Sequence, residues 1–319
     1  MGHGSRGVET DDELVVIALG GNTLLGEHGP WTIDEQRAVI EETARSVAAA
    51  ARAGYRVVLT HGNGPQVGNL LLQQENAPET PQLPLDVLVA ETQAQIGYLL
   101  QQALDNALSG ATDFITVVTQ AVVDAGDPAF EEPSKPVGPF YTEAEAAEKP
   151  FETREVSSGE RPYRRVVPSP EPTGIVEADE IERLVDRGDH VICVGGGGVP
   201  VVREGGLRGV EAVIDKDRAT QLLATELGAS RLAVLTDVEH AYVDFGGADQ
   251  RPLRSVAPAE LRSHLENGEF GEGSMRPKVE ACLRFVDEGG DLASITSPAH
   301  LGDALDGDAG TRVTPAAPK

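Results

Sequence analysis

Leu14-Val15-Val16-Ile17-Ala18-Leu19-Gly20-Gly21-Asn22 is six apolar residues running into two glycines and an amide. A run this short, ended by glycine, reads as a strand buried on both faces, as in a parallel sheet. The pattern recurs. Arg56–Thr60 enters His61-Gly62-Asn63-Gly64, His190–Val194 enters the four glycines Gly195 to Gly198, and Leu232–Leu235 enters Thr236-Asp237. Phe114–Val118 and Leu292–Thr296 read as further strands. Helices are expected between them, at Ile33–Ala53, Asp86–Leu108, Val176–Arg187, Asp217–Leu227, Pro258–Asn267 and Met275–Glu288. Thr32 and Glu35 form a capping box before the first, and Gly54, Gly188, Gly228, Gly268 and Gly289 follow helix ends. Strands alternating with helices predict an α/β fold, an open, mostly parallel sheet sandwiched between helices.

Residues 126–172 break this rhythm. Nine prolines fall between Pro128 and Pro172, a density unsuited to central strands or long helices. The segment also holds Phe140, Tyr141, Phe151, Tyr163 and Val166-Val167, which favours a small inserted lid lobe over a linker. The expected organisation is a mobile tail over 1–13, a lobe over 14–228 carrying the lid, and a second lobe over 229–319.

The chain has 319 residues and a formal net charge of −26. Such a charge repels nucleic acid and anionic lipid, so neither is an expected partner. No window approaches the roughly 20 apolar residues of a membrane helix. The N-terminal residues lack the basic and apolar regions of a secretion signal, so a cytoplasmic protein is expected. The two cysteines, Cys193 and Cys282, have no metal-ligand spacing, and Cys193 reads as a small core residue. Only five of the 26 basic residues are lysine: Lys135, Lys149, Lys216, Lys278 and Lys319. Acidic excess with surface lysine removed suits high salt, where the screening length falls to about 3 Å at 1 M. A lysine that remains is then a candidate for chemistry.

Ligands of parallel sheets gather at the carboxyl ends of the strands. One glycine-rich turn there is ordinary punctuation, but four at one edge suggest backbone kept clear for a phosphate. There is no G-x-x-x-x-G-K-[ST], no G-x-G-x-x-G after a strand and no H-E-x-x-H. The seven histidines are scattered, and His61 reads as structural. Lys216 stands between Asp215 and Asp217 at an expected helix start, where an anion is already favoured. Lys278 lies at another, in Gly273-Ser274-Met275-Arg276-Pro277-Lys278, and Lys135 lies in the lid. Lys149 and Lys319 have no such context and read as solvated. Phosphoryl transfer relies on positioning and on charges of this kind.

At these residues the sequence resembles the carbamate kinases of the amino-acid kinase superfamily, over about Leu14 to Val313. The likeness rests on ALGGN (Ala18–Asn22), THGNGPQVG (Thr60–Gly68), SKPVGPFY (Ser134–Tyr141), RRVVPSP (Arg164–Pro170), GGGGVPV (Gly195–Val201), VEAVIDKD (Val210–Asp217) and GSMRPK (Gly273–Lys278). The resemblance implies reversible transfer, ADP plus carbamoyl phosphate giving ATP plus carbamate, with Mg²⁺ carried by the nucleotide and no metal site of the protein's own. It implies that Gly20, Gly21, Asn22, Gly62, Asn63, Gly64, Gly195 and Gly196 hold the small substrate. Lys135 would reach in from the lid, Lys216 aimed by Asp217 would bridge the transferring group, and Lys278 would bind nucleotide phosphates. Asp215, Thr236, Asp237, Tyr242 and Met275 would complete the nucleotide site. The first lobe would then handle the small substrate and the C-terminal lobe the nucleotide. A homodimer is implied, with Ile96–Leu104 either its interface or a core face, and so is a role in fermentative arginine breakdown. The rival readings are another amino-acid kinase acting on a carboxylate, which the lid motif disfavours, and a non-catalytic nucleotide or carbamoyl-phosphate sensor, which would be marked by a lost lysine.

Overall fold

The computed structural model describes residues 13–25, 32–110, 114–271 and 273–315. The expected tail, up to residue 12, and Lys319 lie outside the described residues. Glu13, assigned to that tail, is held by Arg231 at 2.7 Å.

In chain order the elements begin with β1 (Leu14–Leu19), α1 (Ile33–Arg52), β2 (Arg56–His61), α2 (Gly64–Asn76), α3 (Leu85–Leu108), β3 (Phe114–Thr116) and β4 (Gln120–Val123). The insert contributes β5 (Lys135–Tyr141), α4 (Glu143–Ala147), β6 (Thr153–Glu155) and β7 (Tyr163–Val167). Next come β8 (Pro172–Ile175), α5 (Ala178–Asp186), β9 (His190–Ile192), β10 (Val199–Arg203), β11 (Leu207–Gly209) and α6 (Lys216–Glu226). The chain ends with β12 (Arg231–Leu235), β13 (Ala241–Val243), β14 (Arg251–Leu253), β15 (Ser255–Val256), α7 (Pro258–Glu266), α8 (Met275–Asp287), β16 (Leu292–Thr296), α9 (Leu301–Leu305) and β17 (Thr311–Val313).

An eight-stranded sheet runs β15-β17-β16-β12-β1-β2-β9-β3. The six strands from β16 to β3 are mutually parallel; β17 runs antiparallel to β16, and β15, parallel to β17, forms the edge beyond it. β1 lies at the centre and every residue of it is buried. Its side chains alternate between faces, as a strand requires. Leu14, Val16 and Ala18 join a core with residues of α5, α6 and α8. Val15, Ile17 and Leu19 join another with residues of α1, α3 and α9. The layered α/β expectation is therefore met.

The capping box on α1 is present: Thr32 N–H donates to Glu35 Oε2 at 2.7 Å, and Glu35 N–H to Thr32 Oγ1 at 3.3 Å. In α3, Ile96, Leu99, Leu100, Ala103 and Leu104 are all buried against the core, while Tyr98 on the other side of the same stretch is 54% exposed. Helix α2 falls just past the Gly62-Asn63-Gly64 turn, in a stretch where the sequence pattern predicts no element. It starts with Pro65 in its first turn and buries just Gln66 and Val67, so it shows little of the apolar stripe that marks a helix. The third strand stops at Thr116, two residues short of expectation.

The remaining strands form a second sheet, β11-β10-β4-β8, the pair β13-β14, and a three-stranded sheet, β5-β7-β6. The latter lies wholly within residues 126–172. Its prolines sit at positions such as Pro136 and Pro139 of β5, an edge strand. No helix among the described residues is long and apolar enough to cross a membrane.

Candidate active site

A cleft of about 510 Å³ opens at the carboxyl edge of the central strands. Its walls are built by the turns after β1, β2, β9 and β12, by the starts of α2, α6 and α8, and by the beginning of β5. The four turns chosen from sequence thus meet at one place. The ladder runs one residue past two of these strands: Gly20 N–H donates to Leu235 O at 3.0 Å and Gly62 N–H to Leu19 O at 3.1 Å. These two glycines therefore contribute space rather than donors. Donors come instead from helix starts, whose first N–H groups have no intrahelical partner, as at Gly64 and Gln66 of α2.

The turn after β9 is tightly determined. Val194, a β-branched residue, is held at φ 51°, and its N–H donates to Thr119 Oγ1 at 3.0 Å. A left-handed valine is strained, and such strain persists only where surroundings impose it. Gly196 follows at φ 64°, and a Cβ there would lie 2.2 Å from the amide nitrogen of Asn63. That amide is itself fixed, donating to Thr92 Oγ1 at 2.9 Å. Beneath it, His61 is fully buried; desolvation drives its pKa down to about 4, so the ring is neutral near pH 7. Its Nδ1 lies 3.0 Å from Gly62 O. The structural reading of His61 fits this placement.

The charged centre is organised by the start of α6. Asp215 is its N-cap, and its Oδ1 accepts from the N–H of Asp217 at 2.9 Å and of Arg218 at 3.4 Å. The other oxygen of Asp215 accepts from Lys135 Nζ, at the start of β5, at 2.8 Å. Asp217 points inward and takes two lysines, Lys216 Nζ at 2.5 Å on Oδ1 and Lys278 Nζ at 2.9 Å on Oδ2. Burial alone would raise the Asp217 pKa, but the two ammonium groups outweigh it and hold the carboxyl below the usual carboxylate range. Burial likewise lowers Lys216, which the nearby Lys278 reinforces and Asp217 only partly offsets, bringing it to about 8. For Lys278 the attraction of Asp217 overcomes desolvation and the pKa is raised. Both cysteine thiols are fully buried and pushed up in pKa by desolvation, which leaves neither available as a nucleophile.

Of the residues singled out from sequence, Gly20, Gly21, Gly62, Asn63, Gly64, Gly196, Lys135, Asp215, Lys216, Asp217, Thr236, Asp237 and Lys278 line the cleft. Asn22 opens the one-turn segment Asn22–Leu24 after Gly21. Gly195 lies behind the lining, packed under the His61 ring. Tyr242 is not in the lining either; it sits on β13, edge-on to His240 with ring centroids 6.3 Å apart. Met275 starts α8 but packs against the core, while its neighbours Ser274 and Pro277 face the cleft. Pro65, Val213, Val238 and Phe245 also line it and were not anticipated. Pro65 and Val213 lie in two of the quoted motifs, THGNGPQVG and VEAVIDKD, whereas Val238 and Phe245 lie in none. Among the described residues there is no cluster of His, Cys, Asp and Glu suited to a metal ion.

Lysines in a desolvated cleft, helix starts facing it and glycines clearing space together suit an anion whose charge shifts during reaction. That is the site of a phosphotransferase on an open α/β sheet. Comparison with known proteins carries this further. Residues 13–297 match the amino acid kinase family. The chain is 55% identical to the carbamate kinase of Halobacterium salinarum over 94% of its length and 98% of that protein. It is 47% identical to the carbamate kinase of Pyrococcus furiosus, covering 94% and 99%. The structure of the Giardia lamblia carbamate kinase bound to AMP-PNP superposes with a TM-score of 0.89 at 42% identity, over 96% of this chain and 100% of that one. The chain belongs to the amino acid kinase family and, within it, to the carbamate kinases.

Proposed function

We propose that this cleft transfers a phosphoryl group reversibly between carbamoyl phosphate and ADP, giving carbamate and ATP. The observation that carries the reading is the meeting of Lys135, Lys216 and Lys278 on two aspartates of one helix start. In the ATP-forming direction an oxygen of the ADP β-phosphate attacks phosphorus, a new P–O bond forms in line, and the bond to the carbamate oxygen breaks. Carbamate leaves with that electron pair. No covalent enzyme intermediate is required.

In this reading Lys216, aimed by Asp217, bridges the transferring group. Lys278 neutralises nucleotide phosphate and Lys135 covers the small substrate from the lid. Gly20, Gly21, Asn22, Gly62, Asn63, Gly64, Gly195 and Gly196 shape the carbamoyl phosphate side. Asp215, Thr236 and Asp237 belong to the nucleotide side, with Tyr242 and Met275 supporting it from behind the lining. Residues 14–228 then serve the small substrate and 229–319 the nucleotide. Mg²⁺ enters with ADP or ATP and offsets phosphate charge. The oxygens of Asp215 and Asp217 are engaged by lysines, so the phosphates supply most of its ligands.

The ATP-forming direction suits fermentative arginine breakdown in the cytoplasm. A homodimer is part of the same proposal, and within Ile96–Leu104 only the outer side, with Tyr98, is open to a partner. The test is ATP formation from ADP, Mg²⁺ and carbamoyl phosphate in molar potassium chloride. ATP is expected. A folded chain that makes none contradicts the reading and points to an amino-acid substrate or to a sensor.

A further inference from the structure

Lys149 lies in the acidic stretch of the insert, where it reads as a solvated lysine. The structure instead gives it a partner on the body of the protein. Its Nζ is 2.8 Å from Glu75 Oε2 and lies 4.2 Å over the ring of Tyr141. Tyr141 is 3% exposed, and its hydroxyl donates to the other Glu75 oxygen. One carboxylate thus receives a hydroxyl and an ammonium from the lid. Burial, then the hydrogen bond to Glu75, pushes the Tyr141 hydroxyl up in pKa, which keeps it a donor at ordinary pH.

The placement of these residues matters more than the contacts alone. Glu75 lies at the far end of α2, whose first residue, Gly64, lines the cleft. Tyr141 ends β5, whose first residue is Lys135. The strand therefore has one end in the cleft and the other on Glu75. Between the ends, β5 lies directly on α2. Gly138, at φ 74°, is close enough that an added Cβ would lie 3.4 Å from Leu71 of α2. Arg164 of β7 then donates twice to Gly138 O, at 3.0 and 2.8 Å, and braces the irregularity in the strand.

We propose that Glu75 is a positioning residue for Lys135: by clamping Tyr141 and Lys149 it fixes the strand that delivers the lid lysine to the cleft. The inference rests on the reading that Lys135 acts on the transferred group. Glu75 does not line the cleft, so its loss lowers kcat through Lys135 and leaves the KM for ADP near the parental value.

The test is a double-mutant cycle on ATP formation, using Glu75→Ala, Lys135→Ala and the pair, with thermal melts on each. A misplaced group costs up to about a hundredfold, so Glu75→Ala is expected to lower kcat roughly tenfold or more while Lys135 is present. In the Lys135→Ala background the same change should cost less than about twofold. Equal losses in both backgrounds, or no loss beside Lys135, overturn the proposal. Should Glu75→Ala not fold, Glu75→Gln keeps an acceptor for Tyr141 and loses the charge pair; its smaller loss must likewise vanish beside Lys135→Ala. Parental kcat in Lys135→Ala alone instead overturns the reading of Lys135, and this inference with it.

Discussion

Asp215 and Asp217 stand two residues apart at one helix start, yet they collect lysines from different parts of the molecule. Asp217 holds Lys216 and Lys278, and all three side chains are nearly closed off, at 5%, 13% and 11% exposure. Asp215 holds Lys135 of the lid, whose side chain is 33% exposed. The first group is a floor fixed by the body of the fold. The second depends on an inserted lobe and on what braces it. Two cations sharing one buried carboxylate form a preorganised site, whereas the third charge is placed by the first residue of β5, in the inserted segment.

The comparison predicts unequal losses. Asp217→Ala leaves two buried ammonium groups without their counter-charge, and breaking such a pair costs about 3–5 kcal/mol. We expect the largest effect here, a fall in kcat on the order of a thousandfold or more together with a lower melting temperature. Lys135→Ala should cost less, roughly tenfold to a hundredfold in kcat, with the melt little changed. A lid variant more damaging than the floor variant, by steady-state kinetics, would break the comparison.

pH sharpens it. The Lys216 pKa is lowered from 10.5 to about 8, so the charged form is lost as pH rises through that value. Above about pH 8, kcat/KM should fall by about tenfold per pH unit. Stability moves the other way. Between about 8 and 10.5 the unfolded chain binds this proton more strongly than the folded one, so the penalty of the buried charge is relieved as pH rises. Lys216→Arg keeps its charge in this range and should lose the alkaline fall in whatever activity it retains. A fall of the same shape in that variant would assign it to another group.

Salt probes the exposed surroundings and should have the smallest effect on the floor, whose pairs are little screened. With a net charge of −26, the chain as a whole should melt several degrees higher in molar potassium chloride than in dilute buffer. Equal melting temperatures in the two would contradict salt adaptation.

The legible parts of the molecule were those written locally. β1, β2, β9, β12 and β16 are compact apolar runs closed by glycine or a polar turn, and the capping box of α1 spans four residues. Helix α2 was hidden because its outer face is polar and its leucines are only partly covered. The lysines were visible as unusual residues, but their partnerships were not. Lys278 reaches Asp217 across 61 positions and Lys135 reaches Asp215 across 80, and no sequence spacing encodes such meetings. Lys149 reads as solvated for the same reason, its partner Glu75 lying 74 positions away. Phe245 was invisible as a cleft residue because it enters from a turn after β13 shaped by Asp244 at φ 51°.

The central claim is that Lys216 carries the transferring phosphoryl group. Its most direct test is the rate of ATP formation from ADP, Mg²⁺ and carbamoyl phosphate by the parent and by Lys216→Ala, side by side in molar potassium chloride, with circular dichroism on both. The account predicts an active parent and a variant that is folded yet slower by about a hundredfold to a thousandfold. A folded variant working near the parental rate would contradict it.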